Sequence, residues 1–268
     1  MIAQPAPPST TQSMPMAGRA WSLLTLRLGM VLVISLLIWV ILRSAGGISA
    51  FPPDTIWATL GLLPVNIVCL LLVARFYRHQ GLSLRAAMGV QHGRIVKDIG
   101  WGLLWLIVLN VPFALAVSGT VWLMYGTQAP EAFGTIFVNP AAQAPLSPTW
   151  LLLIGLIAVI PFIVLNAPVE ELVFRGYGLN GLQTGLGRVG AIMTTSLLFG
   201  AQHIFFAATV PGMLVYFVAF TVWGGIAAII VTKQGRLLPI IIAHWMINVM
   251  LSAPALVLPI LMLAGVVT

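Results

Sequence analysis

Two acidic residues lie side by side at the end of an apolar run, in the segment NAPVEELVFRG (residues 166–176), and the whole chain of 268 residues has only five. Glu171 and Arg175 are four positions apart with the acid nearer the N-terminus, the favourable order for an ion pair on a helix. Glu170 points about 100° away around the same helix and has no cation near it in the sequence. We therefore expect Glu171 to be structural, paired with Arg175, and Glu170 to be available for chemistry.

Two later segments place further polar side chains at helical spacing. FGAQH puts Phe199 and His203 on one face of a helix, and HWMIN puts His244 and Asn248 on one face of another. A carboxylate, two histidines and an amide brought together from three helices can activate water and stabilise an oxyanion. The sequence therefore predicts a site containing Glu170 and these polar residues.

The three segments match three motifs of a known family, in the family's order. EELVFR (170–175) matches EExxxR, FGAQH (199–203) matches FxxxH, and HWMIN (244–248) matches HxxxN. Residues from about 149 to 252 therefore resemble the CPBP intramembrane proteases. This family includes the type II CAAX prenyl endopeptidases, bacteriocin-processing and self-immunity proteins, and relatives of lysostaphin resistance protein A.

The resemblance implies an intramembrane endopeptidase that hydrolyses a peptide bond in a membrane-associated protein or peptide. It implies that Glu170 and His203 activate the attacking water, while His244 and Asn248 form the oxyanion hole. The other motif residues are expected to support the site structurally: Glu171, Arg175 and Phe199.

Metal dependence is left open by the sequence. Bacterial members of the family are widely described as metalloproteases, whereas the CAAX branch resembles a glutamate-dependent enzyme without a catalytic metal. Glu170, His203 and His244 are residue types that can hold a catalytic zinc ion and leave its fourth position to water. The cofactor is thus either Zn²⁺ on these three side chains or none.

The composition places these polar residues in a membrane. Hydrophobic residues make up 60% of the chain and charged residues 6%, whereas a soluble domain has roughly a quarter charged residues. Apolar runs long enough to cross a bilayer recur along the chain. The predicted spans are 22–43, 56–75, 99–124, 149–165 with a continuation, 189–208, 211–232, 237–252 and 253–268. The expected fold class is all-α, a polytopic membrane bundle of about eight transmembrane helices.

The chain is expected to form one membrane domain. Residues 1–20, rich in Pro, Ser, Thr and Ala, are predicted to be a disordered cytoplasmic tail. Residues 21–268 form the single transmembrane domain, with the catalytic core at about 149–252. For Glu170 to reach the depth of His203, the fourth helix must continue past Arg175 to about residue 183. A break or kink is predicted near residues 166–168, because proline disrupts the preceding turn.

Basic residues predict the orientation. If the N-terminus is cytoplasmic, eleven of the twelve Lys and Arg residues, Arg27 among them, lie toward the cytoplasm and only Arg43 lies outside. Eight spans then put both termini in the cytoplasm of an integral membrane protein, expected in the bacterial plasma membrane. The net charge of +7 follows from this topology, so the expected partners are anionic lipid headgroups and not nucleic acid.

Two other functions compete with proteolysis as interpretations of these residues. A non-catalytic CPBP-fold protein would bind and regulate a membrane partner, although inactive relatives are expected to lose a motif residue and this chain has lost none. A proton-coupled transporter would use Glu170, His203 and His244 as a relay. No inverted repeat is apparent, however, and the polar residues crowd into the second half of the chain.

Overall fold

The computed structural model describes residues 13–267, and this part of the chain is helical with no strand. Its α-helices are α1 (Ser13–Ser44), α2 (Thr55–His79), α3 (Leu84–Met88), α4 (Ile95–Tyr125), α5 (Ala129–Ile136), α6 (Pro148–Glu171), α7 (Leu179–His203), α8 (Val210–Gln234), α9 (Leu238–Ser252) and α10 (Pro254–Leu263). A π helix, Leu172–Gly178, joins α6 to α7. Short 3₁₀ turns lie at His92–Arg94, Gly126–Gln128, Pro140–Ala142 and Ile204–Phe206.

The predicted membrane bundle is confirmed, because each of the eight predicted spans overlaps one of these helices. By length and apolarity, six stretches of the described residues are able to cross a membrane. One of them, Pro148–Phe206, is 59 residues long and contains two passes. The chain reverses at Gly187, whose φ of 66° and ψ of 175° interrupt α7. A positive φ costs glycine little, since it has no Cβ.

The last two predicted spans run on as one. Ala253 between α9 and α10 has helical angles, φ −53° and ψ −40°, and Leu238–Leu263 is a single 26-residue candidate span. His244 on α9 contacts Glu171 at the end of α6, while the Ala255 carbonyl on α10 lies against Gly155 near the start of α6. The two helices therefore follow α6 in one direction, and α10 does not turn back.

The first helix begins earlier than predicted. Helix α1 starts at Ser13, so residues 13–20, expected in a disordered tail, are helical. Residues 1–12 of the predicted tail lie outside the described residues. Because Arg27 is fourteen positions beyond Ser13, it lies about 21 Å along the helix and not near its end.

The helices that cross the membrane form a closed ring. Going round it, α1 packs on α2, α2 on α6, α6 on α9, α9 on α4, α4 on α8, α8 on α7, and α7 on α1. One end of the ring is fastened by Arg236, which pairs with Asp98 and donates from Nη2 to the Gly89 carbonyl at 2.8 Å. At the other end, the amides of Ser49 and Ala50 donate to the Ala141 carbonyl.

The fourth span continues past Arg175, as predicted. A break or a kink was predicted near residues 166–168, and the break is wrong, because α6 runs unbroken through Pro168 to Glu171. The irregularity comes one turn later, in the π helix. Glycine is needed there: a Cβ on Gly178 would lie 2.6 Å from the Val173 carbonyl oxygen. Single π turns inside helices are often found at functional sites, and this one directly follows Glu171.

Candidate active site

Glu170 is buried near the middle of the ring, with 1% of its surface exposed. Its Oε1 accepts two hydrogen bonds, from Arg27 Nη2 at 2.6 Å and from Gln202 Nε2 at 3.0 Å. Glu170, which has no cation near it in the sequence, therefore has a cationic partner in the structure. The cation comes from α1, far away in the sequence, where the local spacing around Glu170 carries no sign of it.

Arg27 is the centre of a buried polar network. Its Nε donates to Gln202 Oε1 at 2.8 Å and its Nη1 to Asn66 Oδ1 at 3.0 Å. Asn66 in turn donates from Nδ2 to Asn166 Oδ1 at 3.2 Å. All four side chains are buried, so α1, α2, α6 and α7 are tied together at the level of Glu170.

This network is not evident from the sequence. Arg27 was counted among the cytoplasmic charges because the first span was predicted to begin only five residues before it. Asn66 and Gln202 belong to no helical spacing with another polar residue of the three motifs, so the sequence did not predict their role. A charged residue inside an apolar run was the available signal, because such residues usually face a partner or a cavity.

Glu171 contacts both Arg175 and His244. Arg175 Nη1 donates to Glu171 Oε1 at 3.1 Å, so the predicted ion pair is present. His244 Nδ1 lies 2.8 Å from the same oxygen, and its Nε2 lies 3.6 Å from Glu170 Oε2. An ionised carboxylate can only accept, so Nδ1 is the protonated nitrogen in this bond. Glu171 thereby turns the other edge of the imidazole toward Glu170.

His203 lies at the end of α7, directly after the Gln202 that holds Glu170. Its Nδ1 is 2.6 Å from the Phe199 carbonyl oxygen, which accepts the Nδ1 proton and leaves Nε2 free as an acceptor. The imidazole stacks on the Phe220 ring with centroids 3.6 Å apart and planes 8° from parallel. Both contacts fix the plane of the ring.

Phe199 fills the space between the charged and the aromatic parts of the site. The Arg175 guanidinium carbon lies 3.9 Å from the centroid of its ring. The Phe199 ring also packs on the Trp223 ring, with centroids 5.4 Å apart, and the centroid of the His244 ring is 6.2 Å away. A cation over an aromatic ring is attracted by the ring quadrupole, so Phe199 helps to hold Arg175 away from solvent.

Asn248 lies one turn beyond His244 on α9 and is buried. Its amide nitrogen has no hydrogen-bond partner within the described residues. Buried polar atoms are normally paired, and unpaired ones call for a bound water or ligand. Four such atoms belong to the residues of this site: Glu170 Oε2, Glu171 Oε2, Arg175 Nη2 and Asn248 Nδ2.

The fit to a zinc ion is poor. Among residues 13–267, no three His, Cys, Asp or Glu side chains are grouped so that they could hold a metal. One oxygen of Glu170 is bound by the Arg27 guanidinium, and a divalent cation beside it would face that positive charge. The zinc set of Glu170, His203 and His244, left open by the sequence, therefore has no support in the geometry.

Residues 146–250 match the protein-family model described as type II CAAX prenyl endopeptidase Rce1-like. The match extends from just before α6 to near the end of α9, so it includes all three motifs. Arg27 and Asn66 lie outside it. No curated protein matches the chain, and no solved structure matches it.

Proposed function

Since residues 146–250 are a type II CAAX prenyl endopeptidase Rce1-like domain, of a family of intramembrane endopeptidases, we propose that this chain hydrolyses a peptide bond in a membrane-associated protein or peptide. One observation carries the proposal. Glu170 Oε1 is held by two donors, while Oε2 is unpaired and lies 3.6 Å from His244 Nε2. A general base needs a fixed carboxylate with one free oxygen, and Glu170 has both.

The proposed first step is attack by water. A water molecule held between Glu170 Oε2 and His203 gives a proton to Oε2 while its oxygen bonds to the carbonyl carbon of the substrate. The electron pair of the C=O bond moves to oxygen and forms a tetrahedral oxyanion. Asn248 Nδ2, which has no partner in the described structure, is the donor that we propose for that oxyanion.

His244 has a specific requirement in this step. Its Nδ1 proton is used by Glu171, so a second donor at Nε2 makes the ring an imidazolium. The Glu171 and Glu170 carboxylates lie 2.8 Å and 3.6 Å from the two nitrogens of this ring. The oxyanion then collapses, the C–N bond breaks, and the proton held on Glu170 passes to the leaving amine.

The substrate class is proposed from the family description, in which the endopeptidase acts on CAAX prenyl proteins. Purified protein in liposomes would be given a farnesylated peptide ending in a CAAX sequence, the same peptide without the lipid, and a single-span membrane peptide. Mass spectrometry of the products would locate the cleaved bond. We expect cleavage of the farnesylated peptide to be fastest.

Glu170→Gln is the deciding variant. It keeps the shape of the side chain but removes the base, so cleavage per folded molecule should fall roughly 100-fold to 10,000-fold. The yield should fall as well, because Arg27 is left as a buried cation without its carboxylate, so the rate is compared at equal amounts of folded protein. The matched control is Glu131→Gln, which changes an exposed glutamate on α5 and should leave the rate unchanged. Full activity in Glu170→Gln would favour the non-catalytic binding protein. The proposal would be overturned by two negative results together. The wild type would cleave none of the peptides, and cells carrying wild type or Glu170→Gln would show the same membrane proteins.

A further inference from the structure

The two oxygens of Glu170 have different surroundings, and the difference originates outside the matched domain. Arg27 on α1 donates to Oε1 and also binds Gln202, which donates to the same oxygen. Oε2 has no hydrogen bond. Rotation of the carboxylate would break two hydrogen bonds, both of them to or through the Arg27 guanidinium. The identity of the free oxygen therefore depends on Arg27.

We propose that Arg27 is a positioning residue for the hydrolysis: it fixes Oε1 of Glu170 so that Oε2 alone receives the proton of the water. This inference rests on the proposed function. Arg27 itself touches none of the reacting atoms in the proposed reaction. Its action is through the carboxylate that it holds.

The contacts of Arg27 depend on the planar guanidinium group, which carries donors on three nitrogens. Three nitrogens of one planar group contact three acceptors: Nε contacts Gln202, Nη1 contacts Asn66 and Nη2 contacts Glu170. A lysine ammonium is a point charge on a flexible stem and cannot reproduce this fixed fork. Lysine at this position would keep the positive charge and lose the orientation of the carboxylate.

The placement of Arg27 is set by close packing of α1 on the helices of the site. Leu24, one turn before Arg27, lies against Gly178 in the π helix, and Ala20 lies against Gly181 in α7. Asn66 is held from its far side by Asn166 on α6. The guanidinium is therefore fixed by its helix and by its partners, as a positioning role requires.

A purely structural ion pair is the competing explanation, because buried pairs are retained for several reasons. The two explanations differ in what they predict for folded protein. A structural pair, when removed, lowers the yield but leaves kcat per folded molecule unchanged. A positioning residue, when altered, lowers kcat per folded molecule and leaves KM unchanged, since it does not bind substrate.

The experiment compares wild type, Glu170→Gln, Arg27→Lys and Arg27→Gln in the liposome assay, with folded protein measured by gel filtration. We expect Arg27→Lys to lower kcat about 100-fold, the size of effect that a misplacement of about 1 Å can produce. Arg27→Gln should lower it at least as much. The matched control is Arg43→Gln, an exposed arginine at the far end of the same helix, which should retain wild-type kcat.

Asn66→Ala provides a second test that leaves every charge in place. It removes one partner of Arg27 without touching Glu170, and we expect kcat to fall about 10-fold at unchanged KM, as for a smaller misplacement. Wild-type kcat per folded molecule in both Arg27→Lys and Asn66→Ala would overturn the inference, and so would a loss of yield alone. Full activity in Glu170→Gln would instead overturn the proposed function, so the two failures are distinguishable.

Discussion

Glu171 and His244 are joined directly, with the imidazole Nδ1 2.8 Å from the carboxylate Oε1. The same oxygen accepts from Arg175 Nη1 at 3.1 Å. Glu171 therefore links two motifs of the sequence, EELVFR and HWMIN. The sequence predicted only the contact with Arg175, because spacing within one helix reports on neighbours along that helix.

Glu171→Gln should lower the yield of folded protein. It leaves the Arg175 guanidinium, which is 1% exposed, as a buried cation without its carboxylate, a change that costs about 3 to 5 kcal/mol. Adding Arg175→Gln should restore part of the yield, and only part, because the contact of Arg175 with the Phe199 ring is also lost. Yields after gel filtration measure this. Equal yields of the single and double variants would contradict the ion pair.

The same double variant should remain a poor enzyme. With Glu171 replaced by a neutral amide, His244 loses the carboxylate that accepts from its Nδ1 and orients its Nε2, so the oxyanion loses a positioned donor. Cleavage per folded molecule should stay well below that of the wild type, whatever the yield. Recovery of wild-type activity together with yield would show that Glu171 acts only on stability.

Asn248→Ala tests the oxyanion hole. The amide nitrogen has no partner in the described structure, so its removal breaks no hydrogen bond of the resting protein. The loss should fall on kcat by roughly 100-fold to 1,000-fold, the value of one oxyanion donor. Asn110→Ala is a control on α4, where the amide donates to a carbonyl of its own helix. A change in KM alone in Asn248→Ala would exclude the oxyanion role.

The sequence patterns predict contacts between residues of one helix, and this range limits what the sequence could predict. Composition was sufficient for the membrane bundle, and helical spacing was sufficient for the pair of Glu171 and Arg175. Motif order was sufficient to select Glu170 and His244 as members of one site. The contact of Arg27 with Glu170 joins two separate helices, so the spacing of residues within one helix cannot predict it.

The start of α1 is a second case in which contacts with another helix override the local sequence pattern. A proline-rich, polar stretch predicts disorder, yet α1 begins at Ser13, because packing against α7 stabilises residues with weak helix propensity. That shift of one end moved Arg27 from the expected membrane surface to the site. The predicted break at Pro168 is also wrong: α6 continues through Pro168, and the irregularity follows at the π helix Leu172–Gly178.

The course of α9 and α10 predicts which loops share a side of the membrane. With α10 continuing α9, the crossings number seven within residues 13–267, and the two described ends lie on opposite sides. We therefore expect Val266 to share a side with Thr127 and to be opposite Gln91, in place of both termini in the cytoplasm. Of the twelve Lys and Arg side chains, Arg27 and Arg175 are buried and Arg43 lies at the opposite end, which leaves nine at the Gln91 end. The positive-inside rule therefore predicts that the Gln91 end is cytoplasmic.

Cysteine labelling checks this orientation. Gln91→Cys, Thr127→Cys and Val266→Cys would each be labelled with an impermeant maleimide in right-side-out vesicles, where only the second and third should react. The native Cys69 is buried, so the unchanged protein serves as the blank. Labelling of Gln91→Cys and Val266→Cys from the same side would mean that α10 turns back and that the number of crossings is even.

Gly181→Ala should destabilise the protein, whereas Gly185→Ala, one turn further along α7, should not. A Cβ on Gly181 would lie 2.6 Å from the Ala20 Cβ and 3.2 Å from the Met16 carbonyl oxygen, while one on Gly185 would meet nothing. Overpacking of this kind costs about 1 to 3 kcal/mol, and alanine in open space gains about 0.5 to 1 kcal/mol. Thermal unfolding in detergent should show shifts of opposite sign.

Gly181→Ala should also lower the cleavage rate, because it pushes α1, and with it Arg27, away from Glu170. Adding Ala20→Gly removes the closest of the new contacts and should restore part of both stability and rate. The Met16 carbonyl remains close, so rescue should be incomplete. Loss of stability without any loss of rate per folded molecule would show that the contact between Arg27 and Glu170 survives a displaced α1, and the link between helix packing and catalysis would be wrong.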